Sequence, residues 1–83
     1  MTGIPKVIRV KPTDDKKLIV NFDNDIEKIY DCTPLLNLPG FRSLNTPAGF
    51  AEARVDVGGY AVIWNDTADV SEYELWQKGT KIN

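Results

Sequence analysis

One segment of the chain reads Leu18-Ile19-Val20-Asn21-Phe22 and, after a polar turn, Asp31-Cys32-Thr33-Pro34-Leu35-Leu36. A later segment reads Tyr60-Ala61-Val62-Ile63-Trp64 and, after another polar turn, Asp69-Val70-Ser71-Glu72-Tyr73-Glu74-Leu75. Each begins as an apolar strand ending in an aromatic residue, and each continues with Asp, an apolar residue and a hydroxyl residue that can cap a helix. The repetition predicts two unequal sheet-plus-helix units that share one core, and it leaves open whether they arose by duplication.

The first half has the pattern of an antiparallel meander of three strands. Residues 7–11 lie between two prolines, which belong at strand boundaries because they lack a backbone N–H. Residues 18–22 and 26–32 continue the meander, since short polar turns separate them. Thr33 is placed to cap a short helical turn, with Pro34 at its first position. Residues 45–49 are predicted to form a loop.

The second half predicts a hairpin and a helix. Residues 50–57 and 60–64 flank Gly58-Gly59, a pair typical of a two-residue hairpin loop because glycine adopts positive φ without steric cost. Ser71 and Glu74 match a capping box, so a helix is expected to run to about Lys78 with Gly79 at its end. The fold class is therefore α+β: a three-stranded meander plus a second hairpin in a small antiparallel sheet, with one short helical turn and one short C-terminal helix. Residues 1–83 form a single domain.

The composition indicates the cellular compartment in which the protein is expected. The chain has 83 residues, 42% of them hydrophobic, and a formal net charge of −2. It has neither an apolar run of signal-peptide length at its start nor one long enough to span a membrane, so a cytoplasmic protein is expected, with no membrane partner. The lone cysteine fits a reducing compartment.

The charge is unevenly distributed along the chain. Residues 1–17 carry five basic and two acidic groups, whereas residues 18–83 carry five basic and ten acidic groups. A basic edge on an acidic body could bind a polyanion or an acidic partner, or it could protect an edge strand from aggregation. The candidate interaction residues are these five cations and the helix aromatic expected to be exposed: Lys6, Arg9, Lys11, Lys16, Lys17 and Tyr73.

The sequence offers few groups for catalysis or cofactor binding. It contains no histidine, which removes the commonest general base and every Ser-His or Cys-His nucleophile pair, and one cysteine cannot form an all-cysteine zinc site. The run from Asp23 to Glu27 begins like a calcium loop but has Lys28 where glycine is required. Five carboxylates remain as acid–base candidates: Asp31, Asp66, Asp69, Glu72 and Glu74. Asp31 and Asp69 lie at the predicted helix entrances, and each is more simply explained by hydrogen bonds to backbone N–H groups. We expect no catalytic, cofactor or metal site, with Cys32 and both tryptophans in the core.

With these motifs in order, the chain resembles a bacterial family known as domain of unknown function 2442. The resemblance covers about residues 5–79 and rests on the order and spacing of residues 18–22, 30–36, 50–57, 63–64, 69–71 and 75–79. The family usually has glycine where this chain has Asp25, and often tyrosine where it has Trp76. The resemblance implies an α+β fold with no assigned activity, catalytic residue or cofactor. It also implies a frequent gene neighbour, another small domain of unknown function numbered 4160, in an arrangement like that of toxin–antitoxin operons.

Two classes of function follow from these observations. The first is a non-enzymatic interaction module that binds another small protein, as an antitoxin-like or regulatory partner. The second is a nucleic-acid-binding module that uses the basic strand and turn, which the acidic net charge disfavours. An enzyme that works through Asp and Glu is a further alternative, and a homo-oligomer stays open.

Overall fold

A computed structural model describes residues 3–65 and 67–83. Within these residues seven strands form two antiparallel sheets, one with the order β1-β2-β3-β7 and one with the order β4-β5-β6. The strands are β1 (Val7–Pro12), β2 (Lys17–Phe22), β3 (Glu27–Asp31), β4 (Arg54–Val55), β5 (Ala61–Asn65), β6 (Ala68–Ser71) and β7 (Thr80–Lys81). The predicted α+β class with small antiparallel sheets is confirmed, and two strands that the sequence pattern did not reveal, β6 and β7, complete the second sheet and extend the first.

The first sheet forms as the alternation of β2 predicts. Leu18, Val20 and Phe22 are buried on one face, while Ile19 points to the other face and lies directly opposite Ile29 of β3. The predicted three-stranded meander is confirmed. β1 lies at one edge of this sheet and β7 at the other.

The second sheet is a meander of three strands where a single hairpin was predicted. Its register places Val55 opposite Val62 and Val62 opposite Val70, so the buried side of each strand faces the same core. The turn at Gly58-Gly59 does join β4 to β5, but it is not a two-residue loop. The N–H of Asp56 donates to the carbonyl of Ala61 at 2.9 Å, and a 3₁₀ turn at Val57–Gly59 lies between them.

The helical segments in the middle of the chain differ from the prediction. The short turn is a 3₁₀ helix, Thr33–Asn37, whose N-cap is Cys32 and not Thr33. The predicted loop at residues 45–49 is largely helical: a 3₁₀ turn, Arg42–Asn45, leads into α1 (Pro47–Phe50). Phe50 therefore ends a helix and does not begin a strand.

The C-terminal helix α2 (Glu72–Lys78) begins and ends as predicted. Ser71 is both the last residue of β6 and the N-cap, since its Oγ accepts from the N–H of Glu74 at 3.1 Å. The other half of the capping box is not formed, because the Glu74 carboxylate accepts instead from Oη of Tyr30 at 2.9 Å. Gly79 closes the helix through its N–H to the Leu75 carbonyl.

One core lies between the sheets and the helices. Trp64 is buried at its centre, where its Nε1 donates to the Phe50 carbonyl at 2.9 Å. Cys32 is fully buried, as predicted. Trp76 is partly buried, and its ring meets the edge of Phe22 at a centroid distance of 5.1 Å.

We expect Ser71→Ala to lower the free energy of unfolding by about 1 kcal/mol, because the Glu74 N–H loses its acceptor at the helix N-terminus. Urea unfolding measures the loss. Ser71→Asp restores a side-chain acceptor and should recover most of it, whereas equal losses for both variants would show that the cap contributes nothing.

Candidate interaction surfaces

Lys6 is tied into the fold and is not a free cation. Its Nζ lies 3.3 Å from the buried Oε2 of Glu72, which makes an ion pair between the chain before β1 and the first residue of α2. The same ammonium lies 4.6 Å from the ring centroid of Tyr60 and 3.3 Å from the Ile4 carbonyl. Lys6 therefore joins the N-terminal segment, the second hairpin and the last helix.

The other predicted cations divide between a turn and a sheet face. Lys16 lies in the β1–β2 turn with φ of +67°, and its carbonyl accepts from the N–H of Cys32. Arg9, Lys11 and Lys17 occupy outward positions on β1 and β2, on the side of the sheet opposite the core. The structure thus brings three of the five cations together, on what we call the open face.

The open face also carries acidic and aliphatic residues. The row across the four strands reads Lys11, Ile19, Ile29 and Thr80, and on one side of it Lys17 lies opposite Asp31. On its other side Asn21 lies opposite Glu27, and Asn21 Nδ2 donates to a Glu27 carboxylate oxygen at 3.1 Å. Two carboxylates, Asp31 and Glu27, therefore share this face with the three cations.

Asp31 is held in its charged form. Hydrogen bonds from the Thr33 side chain and backbone N–H lower the pKa of this carboxyl below its usual value, and the nearby Lys17 lowers it further. Asp15 lies 3.5 Å from Lys17 Nζ, and a hydrogen bond from Thr13 lowers its pKa. Lys17 thus lies between two carboxylates that stay ionised near neutral pH.

Large exposed apolar side chains also lie at the hairpin loop and at the start of α2, and we call these side chains the tyrosine patch. Val57 is 91% exposed, Tyr60 58% and Tyr73 57%. The prediction that Tyr73 is an exposed aromatic is confirmed. Val57 and Tyr60 were missed because the pattern assigned them to buried strands, although their positions beside a glycine pair indicate a turn.

Backbone contacts hold the tyrosine patch in place. The Glu72 N–H donates to the Tyr60 carbonyl at 2.9 Å, which ties the end of the hairpin loop to the start of the helix that carries Tyr73. Gly59 lies directly against the backbone of Val7. The exposed side chains therefore project from a fixed backbone, as an interaction surface requires.

The candidate acid–base residues have structural partners or exposed positions. Glu72 pairs with Lys6, Glu74 accepts from Tyr30, and Asp31 accepts from Thr33. Asp69 was predicted at a helix entrance but lies on β6 opposite Ile63, and Asp66 lies outside the described residues. In residues 3–65 and 67–83, no group of three or more Cys, Asp or Glu side chains is placed to hold a metal ion.

Two surface cavities flank these elements. The smaller, of about 230 Å³, lies between the β1–β2 turn and α1. The larger lies beside the N-terminal segment and is lined in part by Asp23 and Trp76. Lys28 Nζ lies over one face of the Trp76 ring, 3.9 Å from its centroid, so that face is not free to stack on a base.

The comparisons with known proteins identify the family. A family model described as "Protein of unknown function (DUF2442)" matches residues 7–81. The chain belongs to this family. No curated protein and no solved structure matches it. Within the part of the chain that the structure describes, no DUF2442 helix is long and apolar enough to cross a membrane.

One residue of this chain departs from the pattern that the family resemblance implies. Asp25, which stands where the resemblance implies glycine, has φ of +68°. Glycine adopts this left-handed conformation at no steric cost, and Asp is among the few other residues that tolerate it. Asp25 is therefore compatible with the left-handed conformation that the β2–β3 turn of this chain requires.

Proposed function

We propose that this DUF2442 chain is a non-enzymatic interaction module that binds another small protein in the bacterial cytoplasm. The observation that carries the proposal is the tyrosine patch, where Val57, Tyr60 and Tyr73 are each more than half exposed. Tyrosine is enriched at protein interfaces because its ring supplies apolar contact area and its hydroxyl a hydrogen bond. The gene arrangement that the family resemblance implies supplies the candidate partner, the small protein encoded beside this chain, in an antitoxin-like or regulatory role.

The contacts around the patch support this proposal. The Lys6 ammonium packs over the Tyr60 ring and pairs with Glu72, so it connects the hairpin to the first residue of α2. A partner that covers the two tyrosines would therefore meet a pre-ordered surface and would lose little conformational entropy on binding. The charges at its border would contribute to orientation more than to affinity.

The test is co-expression with the neighbouring gene product, followed by purification and isothermal titration. We expect the two proteins to co-purify, and the double variant Tyr60→Ala, Tyr73→Ala to bind at least about tenfold more weakly, because aromatic anchors dominate interface energetics. Leu38→Ala is the matched control, since this exposed apolar residue lies on a different element. Equal weakening by the control, or no co-purification, would contradict the proposal.

Salt dependence separates this function from nucleic-acid binding. A nucleic-acid site on the open face would use Arg9, Lys11 and Lys17, and three phosphate contacts give a slope of about −2.7 for log affinity against log salt. A protein partner on the tyrosine patch should show a much shallower dependence. Salt-sensitive binding of DNA or RNA that is lost in Lys11→Ser, Lys17→Ser would favour the nucleic-acid alternative.

A further inference from the structure

The open face is the side of the first sheet that residues 3–65 and 67–83 leave uncovered. In the described residues, Ile19 and Ile29 are partly exposed, and neither belongs to the core cluster nor packs against it. They lie side by side at the centre of a four-stranded sheet. Ile82 extends the aliphatic surface at the β7 edge, where its N–H donates to the Glu27 carbonyl.

The pattern of this face is self-complementary. A two-fold axis that runs parallel to the strands between β2 and β3 exchanges the positions of the two central strands while it keeps each row across the sheet. Ile19 of one copy then meets Ile29 of the other, and Lys17 meets Asp31 of the partner subunit. Asn21 meets Glu27 of the partner subunit in the same way. Each contact is repeated by symmetry, as a closed isologous interface requires.

The charge pattern distinguishes this arrangement from a second way of packing two open faces about a two-fold axis. A two-fold axis perpendicular to the strands would keep each strand over its own copy and exchange the outer rows. Lys11 would then meet Lys11 of the partner subunit, and Asp31 would meet Glu27 of the partner subunit. Like charges placed together cost energy, so the charge pattern selects the axis parallel to the strands.

We propose that the open face binds a second copy of this chain, with the two sheets packed face to face about an axis parallel to the strands. Ile19 and Ile29 form the apolar centre of this dimer, and two Lys17–Asp31 pairs between subunits fix its register. Aligned packing of sheets is the ordinary geometry for two such faces. The proposal is independent of the function assigned to the tyrosine patch, which lies on the hairpin and α2.

The size of the face sets the expected strength of association. Four strands span about 19 Å and five residues about 17 Å, or roughly 320 Å² per subunit, which is smaller than a standard specific interface and indicates weak association. We expect a dissociation constant on the order of tens of micromolar. Analytical ultracentrifugation of the full chain between about 5 and 500 µM should show a monomer that converts to a dimer. A chain that stays monomeric throughout this range would overturn the proposal.

A charge-exchange experiment tests the register. Lys17→Glu alone places like charges at both inter-subunit pairs, and so does Asp31→Lys alone, so each variant should self-associate at least tenfold more weakly than the wild type. An equimolar mixture of the two variants restores both pairs, and a heterodimer should form. Thermal melts confirm that each variant is folded, because Asp31→Lys also loses the hydrogen bond from the Thr33 N–H. Single variants that dimerise like the wild type, or a mixture that stays monomeric, would overturn the proposal.

A matched pair of apolar substitutions tests the centre of the interface. Ile29→Thr keeps a β-branched side chain on β3 but removes aliphatic surface, and we expect it to weaken dimerisation at least fivefold. Ile63→Thr makes the same change on β5, the central strand of the other sheet, and should leave dimerisation unchanged. Tyr60→Ala, Tyr73→Ala should also leave it unchanged, so failure of the dimer and failure of the proposed function are distinguishable. Equal weakening by Ile63→Thr would contradict the assignment to the open face.

Discussion

Gly59→Ala should lower the free energy of unfolding by at least about 3 kcal/mol, because two costs add at this position. The residue has φ of +77°, which an L side chain adopts only with strain. A Cβ there would also lie 2.5 Å from the Val7 carbonyl oxygen and 3.0 Å from Lys6 Cβ. That carbonyl belongs to the first residue of β1, so it cannot withdraw without disturbing the start of the sheet. Urea unfolding followed by tryptophan fluorescence measures the loss.

Gly58→Ala is the matched control for this prediction. Gly58 has φ of +84°, but the atoms nearest to an added Cβ are Cε2 and Cδ2 of the exposed Tyr60 ring, at 2.7 and 2.8 Å. A side chain on the surface can rotate away, so we expect a loss of only about 1 kcal/mol, from the backbone conformation alone. Equal losses at the two positions would show that the contact between the hairpin and β1 does not contribute to stability.

The strands predicted correctly from the sequence are those long enough to show an alternation of buried and exposed side chains. β2 shows its buried side in Leu18, Val20 and Phe22, and this pattern needs no knowledge of its partner strands. β6 alternates in the same way but has only four residues, and its last residue, Ser71, also caps α2. The capping signal therefore concealed the strand. β7 has two residues and exists through its pairing with Lys28 and Ile29, which no local pattern reveals.

Helix α1 carried a readable signal that was outweighed. Thr46 accepts from the Gly49 N–H at 3.0 Å, and Pro47 follows it at the first helical position, an arrangement typical of a helix start. The cluster of Asn, Thr, Pro and Gly in residues 45–49 is also typical of a loop. Gly49 is required for a tertiary reason, since a side chain there would collide with the Ser43 carbonyl.

The candidate surfaces were predictable only where local position decides exposure. Tyr73 lies on the first turn of α2, away from the buried Leu75, and the helix period indicates its exposure. Lys6 looked equally free in the sequence, yet it pairs with Glu72, which is distant along the chain. Arg9, Lys11 and Lys17 share a face because of strand register, which also places Asp31 beside Lys17. The sequence identified the charges, whereas register determined which of them meet.

The Cys32 thiol should react with iodoacetamide on the order of 1,000-fold more slowly in the folded protein than in the unfolded chain at about pH 8. Burial, together with the negative charge of Asp31, raises the pKa of the Cys32 thiol to about 12. Because only the thiolate is nucleophilic, this shift removes nearly all of the reactive form near neutral pH. The measurement is the alkylation rate followed by mass spectrometry, with and without denaturing urea.

The same ionisation predicts how stability depends on pH. The unfolded thiol loses its proton above about pH 8.5, whereas the folded thiol keeps it until the pH approaches its own, raised pKa. The unfolded state therefore binds fewer protons in this interval, and the free energy of unfolding should fall as the pH rises through it, by at most about 1.4 kcal/mol per pH unit. Cys32→Ala is the control, since it removes the titrating group and should flatten the curve between about pH 8.5 and pH 10, above which Tyr30, whose pKa burial also raises, contributes in the same direction. A folded protein alkylated as fast as the unfolded chain would show that Cys32 is accessible and not a core residue.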